Sequence, residues 1–306
     1  MDCGPPHGDS HILAGKFVDQ NADLLADSPP IAEQIHPEKL VFAYEPADNP
    51  ARYQPVWAAF VDHLTRETGT DVIYRVVHSN DEQLRAFRDG EIHIAGFATG
   101  SVATAVNQAG FVPFAFMAAA DGSYGYRMLI ITRSDAAFES VRDLKRITFT
   151  SQSSNSGYRA PSVLLEEEFK MQVECDYQTD FSGGHEQSIL GVVSGEYAAA
   201  AVANTILERM IQSGSVERNS IKVLYESPSF PATAYGTAYN LKPELAGAIR
   251  SAFFSFDWQG TALQAEFAKE NPPRVQFVPL NYRTDWDVVL KIDSALGVQY
   301  AISAER

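Results

Sequence analysis

The sequence predicts an α/β fold in two lobes, each a sheet covered by helices. Three observations predict it. Short apolar runs with strand character alternate with runs whose apolar residues fall at helical spacing, the pattern of a helix-covered sheet. That alternation occupies residues 40–97, changes character, and resumes at residue 126. The chain has 306 residues, 45% hydrophobic and 11% aromatic, which is more than one core usually holds and ample for two.

Taken in order, residues 4–37 are rich in Pro, Asp, His and Ala without sustained periodicity, so residues 1–37 are expected to form a flexible N-terminal tether. Leu40-Val41-Phe42-Ala43-Tyr44 is a short apolar strand closed by Glu45-Pro46. Val56, Trp57, Phe60, Val61 and Leu64 then mark a helix over residues 55–68. A strand at 72–77, an amphipathic helix at 81–89 stopped by Gly90, and a strand at 92–97 complete the first series. The second series opens on the strongly apolar strand Tyr126-Arg127-Met128-Leu129-Ile130-Ile131-Thr132. A short helix at 141–145, a strand at 147–150 and a helix at 163–169 follow. Next come a strand at 173–177, a loop at 182–184, a helix at 187–194 and a small-residue strand at 198–202. Strand character returns at 237–241, and residues 243–256 form a long amphipathic helix. No period of the solenoid kind is present.

Composition narrows the function. The formal net charge of −15 disfavours nucleic acid and anionic membrane surfaces as partners. It also obliges any anion site to work locally, against the overall field. With only Cys3 and Cys175, neither a zinc site nor a disulfide framework is expected. Cys175 reads as a lone buried thiol, because free Cys behaves as a small hydrophobe, and a bridge from a chain end to a mid-chain strand is not expected. No apolar run is long enough to span a bilayer, and no charged region followed by an apolar one opens the sequence, so no signal peptide is read there. Met1-Asp2-Cys3-Gly4-Pro5-Pro6 admits two readings: a processed lipoprotein anchored through Cys3, or a native cytosolic start.

The segment Ser151-Gln152-Ser153-Ser154-Asn155-Ser156-Gly157 joins the strand at 147–150 to the helix at 163–169. Small hydroxyl and amide side chains at a helix start can cap its orphan N–H groups. They can equally leave those groups to hold an anion, where the helix macrodipole favours negative charge. The segment contains no Lys or Arg, which suits a small desolvated oxyanion held by neutral donors. Taken alone, it is as readily an ordinary capped helix as an anion site.

Four segments give it company: Ala120-Asp121-Gly122-Ser123-Tyr124-Gly125-Tyr126, Ser153-Ser154-Asn155-Ser156-Gly157-Tyr158-Arg159-Ala160-Pro161, Gly183-Gly184-His185-Glu186-Gln187-Ser188-Ile189 and Ser227-Pro228-Ser229-Phe230-Pro231. In their order and spacing the chain resembles the substrate-binding proteins of phosphonate, phosphite and phosphate ABC transporters, collinearly over residues 40–258. The resemblance implies a type II periplasmic-binding-protein fold, two α/β lobes joined by a two-strand hinge with a ligand cleft between them. Lobe I would comprise residues 38–122 and 237–306, and lobe II residues 123–236, with hinge crossings near 122–125 and 231–236.

The resemblance also implies site residues. The Ser/Thr-rich turn that binds anionic oxygens falls on Ser154, Asn155 and Ser156, with Asn155 where the family has Thr. The family's loop histidine matches His185, whose charge state is open because a helix start lowers its pKa and a bound anion raises it. Glu186 reads as a first-turn helix charge. From the other lobe comes Gly96-Phe97-Ala98-Thr99-Gly100-Ser101, with Phe97 where an aromatic hydroxyl often stands. Thr99 and Ser101 are left as donors, and Gly100 permits close backbone approach. Tyr53 either closes over the ligand or is a surface ring stacked on Pro55, and Tyr126 is a further candidate hydroxyl. Positions that are acidic in members taking aminoalkylphosphonates align with Thr205 and Thr233. A buried ammonium without a counter-charge is costly, so a zwitterionic phosphonate is not expected.

The implied function is the substrate-binding component of an ABC importer, a periplasmic or extracytoplasmic monomer without cofactor or metal. It would capture phosphite, phosphate or a simple alkylphosphonate by lobe closure and deliver it to a membrane permease. A second reading is a receptor that senses a phosphorus or arsenic oxyanion for a membrane histidine kinase. An enzyme on the same architecture is the third. No G-x-S-x-G, P-loop or HExxH pattern is present, and Ser154 and His185 lack an evident acid partner to serve as nucleophile and base.

Overall fold

The computed structural model of the chain describes residues 13–44, 50–173 and 175–302. The first series comprises β1 (Lys39–Tyr44), α1 (Tyr53–Thr68), β2 (Asp71–Arg75), α2 (Asn80–Arg88), β3 (Ile94–Phe97), α3 (Thr99–Ala109) and β4 (Phe111–Ala118). The second comprises β5 (Met128–Arg133), β6 (Arg146–Phe149), α4 (Ala160–Phe169), β7 (Gln178–Phe181), α5 (His185–Ser194), β8 (Ala199–Ala203), α6 (Asn204–Gln212) and β9 (Ile221–Glu226). The chain then returns with β10 (Ala234–Ala238), α7 (Pro243–Ser255), α8 (Ala262–Phe267), β11 (Gln276–Pro279), α9 (Tyr282–Asp285) and α10 (Asp287–Ala295).

Two sheets result, ordered β11-β4-β10-β3-β1-β2 and β7-β6-β8-β5-β9. In the first, β2, β1 and β3 run parallel while β10 is antiparallel to both β3 and β4. Parallel strands covered on both faces must be apolar throughout, and Leu40, Phe42 and Ala43 of β1 are fully buried. The stripe on α1 packs onto them, Trp57 meeting Phe42 edge-on at 4.8 Å and Phe60 meeting Phe253 of α7 at 4.7 Å. In the second sheet β5 alternates its faces. Met128 and Ile130 join Ile147 and Phe149 in one core, and Leu129 and Ile131 join Ile189 and Val192 in another.

Two crossings join the sheets, residues 119–127 and 227–233. They hydrogen-bond to each other: Tyr126 N–H donates to Phe230 O at 3.0 Å and Phe230 N–H to Tyr126 O at 2.7 Å. Arg274, buried in the first lobe, donates to the carbonyls of Ser123 at 3.1 Å and Gly125 at 2.5 Å, and so pins the first crossing.

Four expectations change. Residues 13–37 are no free tether: Phe17 and Ala26 are buried, Leu13, Leu24, Leu25 and Ile35 pack on the first core, and Phe17 meets Tyr239 edge-on at 4.9 Å. Residues 1–12, with Cys3, lie outside the described residues. The strand expected at 173–177 forms instead as β7, because the Asp176 carboxylate accepts Gln172 N–H and closes a turn there. Cys175 in that turn is exposed and disulfide-bonded, not a buried thiol. The C-terminal helix α10 is not confined to the first lobe, since Val289 and Leu290 join the first core and Ile292 the second.

Candidate ligand-binding site

Between the two sheets lies a cavity of about 280 Å³. Tyr44, Ala98, Thr150 and Ala203, at the carboxyl ends of β1, β3, β6 and β8, form its floor. Helices follow these strand ends, directly after β3 and β8, and ligands of open α/β sheets bind at such ends. The starts of six helices line the cavity: Tyr53 of α1, Asn80 of α2, Thr99 of α3, Asn155 ahead of α4, His185 of α5 and Thr205 of α6. Each start brings unsatisfied N–H groups and the positive end of a helix dipole.

The Ser-rich turn is built for close approach. Residues Asn155–Arg159 form one π-helical turn, with Ala160 N–H bonded to Asn155 O, before α4 proper. Ser154 Oγ accepts Gly157 N–H at 3.0 Å, which leaves its own proton to donate. So the capping and anion readings of this serine are compatible. Gly157 is required sterically: a Cβ there would lie 1.9 Å from Thr150 Oγ1. Asn155 Nδ2 donates to the Tyr126 hydroxyl at 3.0 Å. Asn155 Oδ1 and Thr150 Oγ1 are buried, and among the described residues neither has a hydrogen-bond partner.

His185 Nδ1 accepts Ala203 N–H at 3.2 Å. That bond fixes the neutral tautomer, with the proton on Nε2. Burial, and then the nearby Arg209 guanidinium, pull the imidazole down to about 4, so it is neutral at pH 7.

All eight sequence-derived candidates, Ser154, Asn155, Ser156, His185, Thr99, Ser101, Tyr53 and Tyr126, line this one cavity. Their roles differ in detail. The Thr99 hydroxyl donates to Pro231 O at 2.8 Å, so its proton holds the second crossing to α3. Ser101 Oγ accepts from Asn80 at 3.3 Å. Tyr53 is 2% exposed, which removes the surface-ring alternative. Burial raises the Tyr126 hydroxyl pKa, against contacts with Thr99, Asn155 and Ser156 that lower it. That hydroxyl sits where α3 meets the Ser-rich turn.

Charged residues missed in the sequence complete the wall: Arg209, Glu266, Glu270 and Arg274. Glu266 pairs with Arg52 and with Lys269, and Glu270 with Arg274 at 3.2 Å. Burial pushes the Glu270 carboxyl up, and Arg274 opposes the shift. Thr205 and Thr233 do line the cavity, and two carboxylates outside those aligned positions, Glu266 and Glu270, line it as well. Their four-residue spacing is the signal the sequence offers.

Comparison with known proteins agrees with this geometry. Residues 42–284 match the family described as "ABC transporter, phosphonate, periplasmic substrate-binding protein". The chain is 24% identical to the phosphonates-binding periplasmic protein of Escherichia coli K12 over 235 residues, covering 75% of this chain and 69% of that one. It is also 24% identical over 243 residues to the phosphate-import protein PhnD of Mycolicibacterium smegmatis, covering 71% of each. Among solved structures, PhnD1 of Prochlorococcus marinus in complex with methylphosphonate superposes with a TM-score of 0.71 at 17% identity, over 86% of this chain and 99% of that one. A phosphonate-transporter binding protein of Pseudomonas aeruginosa gives 0.68 at 18% identity, over 85% and 95%. At such identities the structures speak to fold, which is the two-lobed type II architecture of periplasmic binding proteins. The family consists of transporter binding components rather than enzymes. Sequence, fold and relatives converge: this chain belongs to the family of periplasmic substrate-binding proteins of phosphonate ABC transporters.

Proposed function

We propose that the chain, acting as a monomer, captures a phosphorus oxyanion in the cavity between its sheets, closes its lobes about the two crossings and delivers the ligand to a membrane permease. One observation carries the reading: six helix starts line a cavity whose second-lobe wall is Ser154, Asn155, Ser156 and a neutral His185. The ligand oxygens would take the hydroxyl protons of Ser154 and Ser156, main-chain N–H groups of the turn, and His185 Nε2–H. These are neutral donors acting together with helix dipoles. A closed state is favoured only by contacts that both lobes make at once.

Size and charge bear on the cargo. The cavity's 280 Å³ corresponds to about nine waters at roughly 30 Å³ each. Phosphite or phosphate would leave room in it, and an alkylphosphonate would direct its carbon substituent toward Tyr44, Tyr53 and Phe267. Glu266 and Glu270 disfavour a reversed anion, and they remove the ground for excluding a substituent that carries a hydrogen-bond donor. Calorimetry with phosphate, phosphite, methylphosphonate, 2-aminoethylphosphonate, arsenate and sulfate tests the reading. A true ligand at a hundred times its Kd adds about 2.7 kcal/mol of stability. Binding of none of the phosphorus compounds would refute it, as would unchanged binding after Ser154→Ala with Ser156→Ala.

The disulfide at Cys175 suits an oxidising compartment, in keeping with the family's periplasmic location. Intact mass of the purified protein tests whether Cys3 carries a lipid anchor.

A further inference from the structure

Arg159 closes the π-helical turn at the Ser-rich segment, yet it does not line the ligand cavity. Its guanidinium is buried and reaches three parts of the molecule. Nε donates to Gln152 O at 3.4 Å, at the start of the Ser-rich turn. Nη1 donates to Gly100 O at 3.1 Å, on α3 of the first lobe. Nη1 also meets the Asp293 carboxylate of α10 at 3.1 and 3.2 Å. Asp293 is fully buried and accepts the Tyr300 hydroxyl at 3.0 Å. Gln299 and Ala301 flank Arg159 around a second cavity of about 230 Å³ on the far side of the Gly100–Ser153 contact.

We infer that Arg159 is a positioning residue for the proposed anion site, and that the C-terminal segment, residues 287–302, is a strap which acts through it. The inference rests on the proposed reading of the Ser-rich turn as the anion-binding wall. Asp293 and Tyr300 aim the guanidinium; the guanidinium fixes Gln152 and, in the closed arrangement, grips the Gly100 carbonyl across the cleft. The planar fork of Arg serves all three acceptors at once, which the point charge of Lys cannot do. The segment thereby sets how long the closed state lasts without touching the ligand.

Arg159→Lys keeps a charge opposite Asp293 while losing the fork. Arg159→Met with Asp293→Leu replaces the pair by apolar groups of similar bulk, an exchange that buried pairs often tolerate. Inorganic phosphate and methylphosphonate serve as probes in stopped-flow and calorimetric assays of the full chain. Both variants should fold and release the bound probe about tenfold faster or more, with association rates nearly unchanged. Without ligand, amide exchange over residues 152–156 should quicken in both, and Tyr300→Phe should show a smaller effect of the same kind. Wild-type release and wild-type exchange in both folded variants would overturn the inference. If the unmodified protein binds neither probe, the functional reading fails and exchange decides alone: acceleration at 152–156 sustains the strap, and unchanged exchange overturns it.

Discussion

Replacing Gly100 by Ala tests lobe closure without removing any proposed ligand contact. Gly100 is the second residue of α3, and its backbone does not require glycine, so Ala is acceptable and favours the helix by up to about 1 kcal/mol. Across the cleft, however, the new Cβ would lie 2.1 Å from Ser153 O and 3.1 Å from Asn155 N. Ordinary contact begins near 3.4 Å, so Ser153 O must retreat from 2.1 to 3.4 Å, about 1.3 Å. A retreat of that size separates the two lobes where Arg159 donates to Gly100 O at 3.1 Å, so that hydrogen bond should be lost. A hydrogen bond from a charged donor contributes about 1.5–3 kcal/mol, so Kd should rise roughly ten- to more than a hundredfold. Calorimetry with methylphosphonate and phosphate reads the affinity, and small-angle scattering reads whether ligand still contracts the protein. The melting temperature without ligand should be unchanged or higher. Wild-type affinity with full contraction in Gly100→Ala would refute closure onto the Ser-rich turn.

Three further outcomes follow. Gly157→Ala drives a Cβ to within 1.9 Å of Thr150 Oγ1 and 2.7 Å of Ser154 Oγ, so it should cost about 1–3 kcal/mol in thermal stability and abolish phosphate binding together. The His185 imidazole resonances should stay unmoved from pH 8 to pH 5 in the unliganded protein, titrating only near 4. Because the unfolded chain takes up that proton near 6.5, the histidine's stabilising contribution is full above that pH and is lost as pH falls toward 4; His185→Gln should flatten this part of the pH–stability curve. Glu270→Gln, which can still accept from Arg274, should tighten phosphate a few-fold and weaken 2-aminoethylphosphonate; an unchanged ratio of the two affinities would contradict a charged wall opposite the anion.

What the sequence could announce depended on the kind of burial each segment has. The α1 stripe, the apolar β1 and β5, and the Ser-rich turn carry local signals, and the structure forms elements at all of them. Helix α3 carries none, because ten of its eleven residues are buried and no polar face remains to create a period. Strand β4 hides behind Pro113, which sits where the pairing register with β10 shifts between Tyr235 and Gly236, so the missing N–H is accommodated. The turn at Cys175 is set by the Asp176 carboxylate, and the exposure of Cys175 by that turn. The place of Glu266 and Glu270 is tertiary: α8, which carries Glu266, is short and packs against α1, and Glu270 follows just beyond its end.

The net charge of −15 makes the proposed anion site a local electrostatic problem, and the cavity wall suggests how it would be met. The wall carboxylates are not bare: Glu266 faces Arg52 and Lys269, and Glu270 faces Arg274. Arg209 is likewise engaged by Glu186 at 3.3 Å. With the side-chain charges paired, what remains directed at the cavity is the set of helix starts, each roughly equivalent to half a positive charge that acts over about one turn. On the proposed reading, a short-range source would suit a chain of net negative charge, because it takes effect once the anion has entered and water has been excluded. The same reading accounts for the absence of a cation from the Ser-rich turn. A Lys there would be drawn to the surrounding carboxylates, whereas a main-chain N–H cannot turn away.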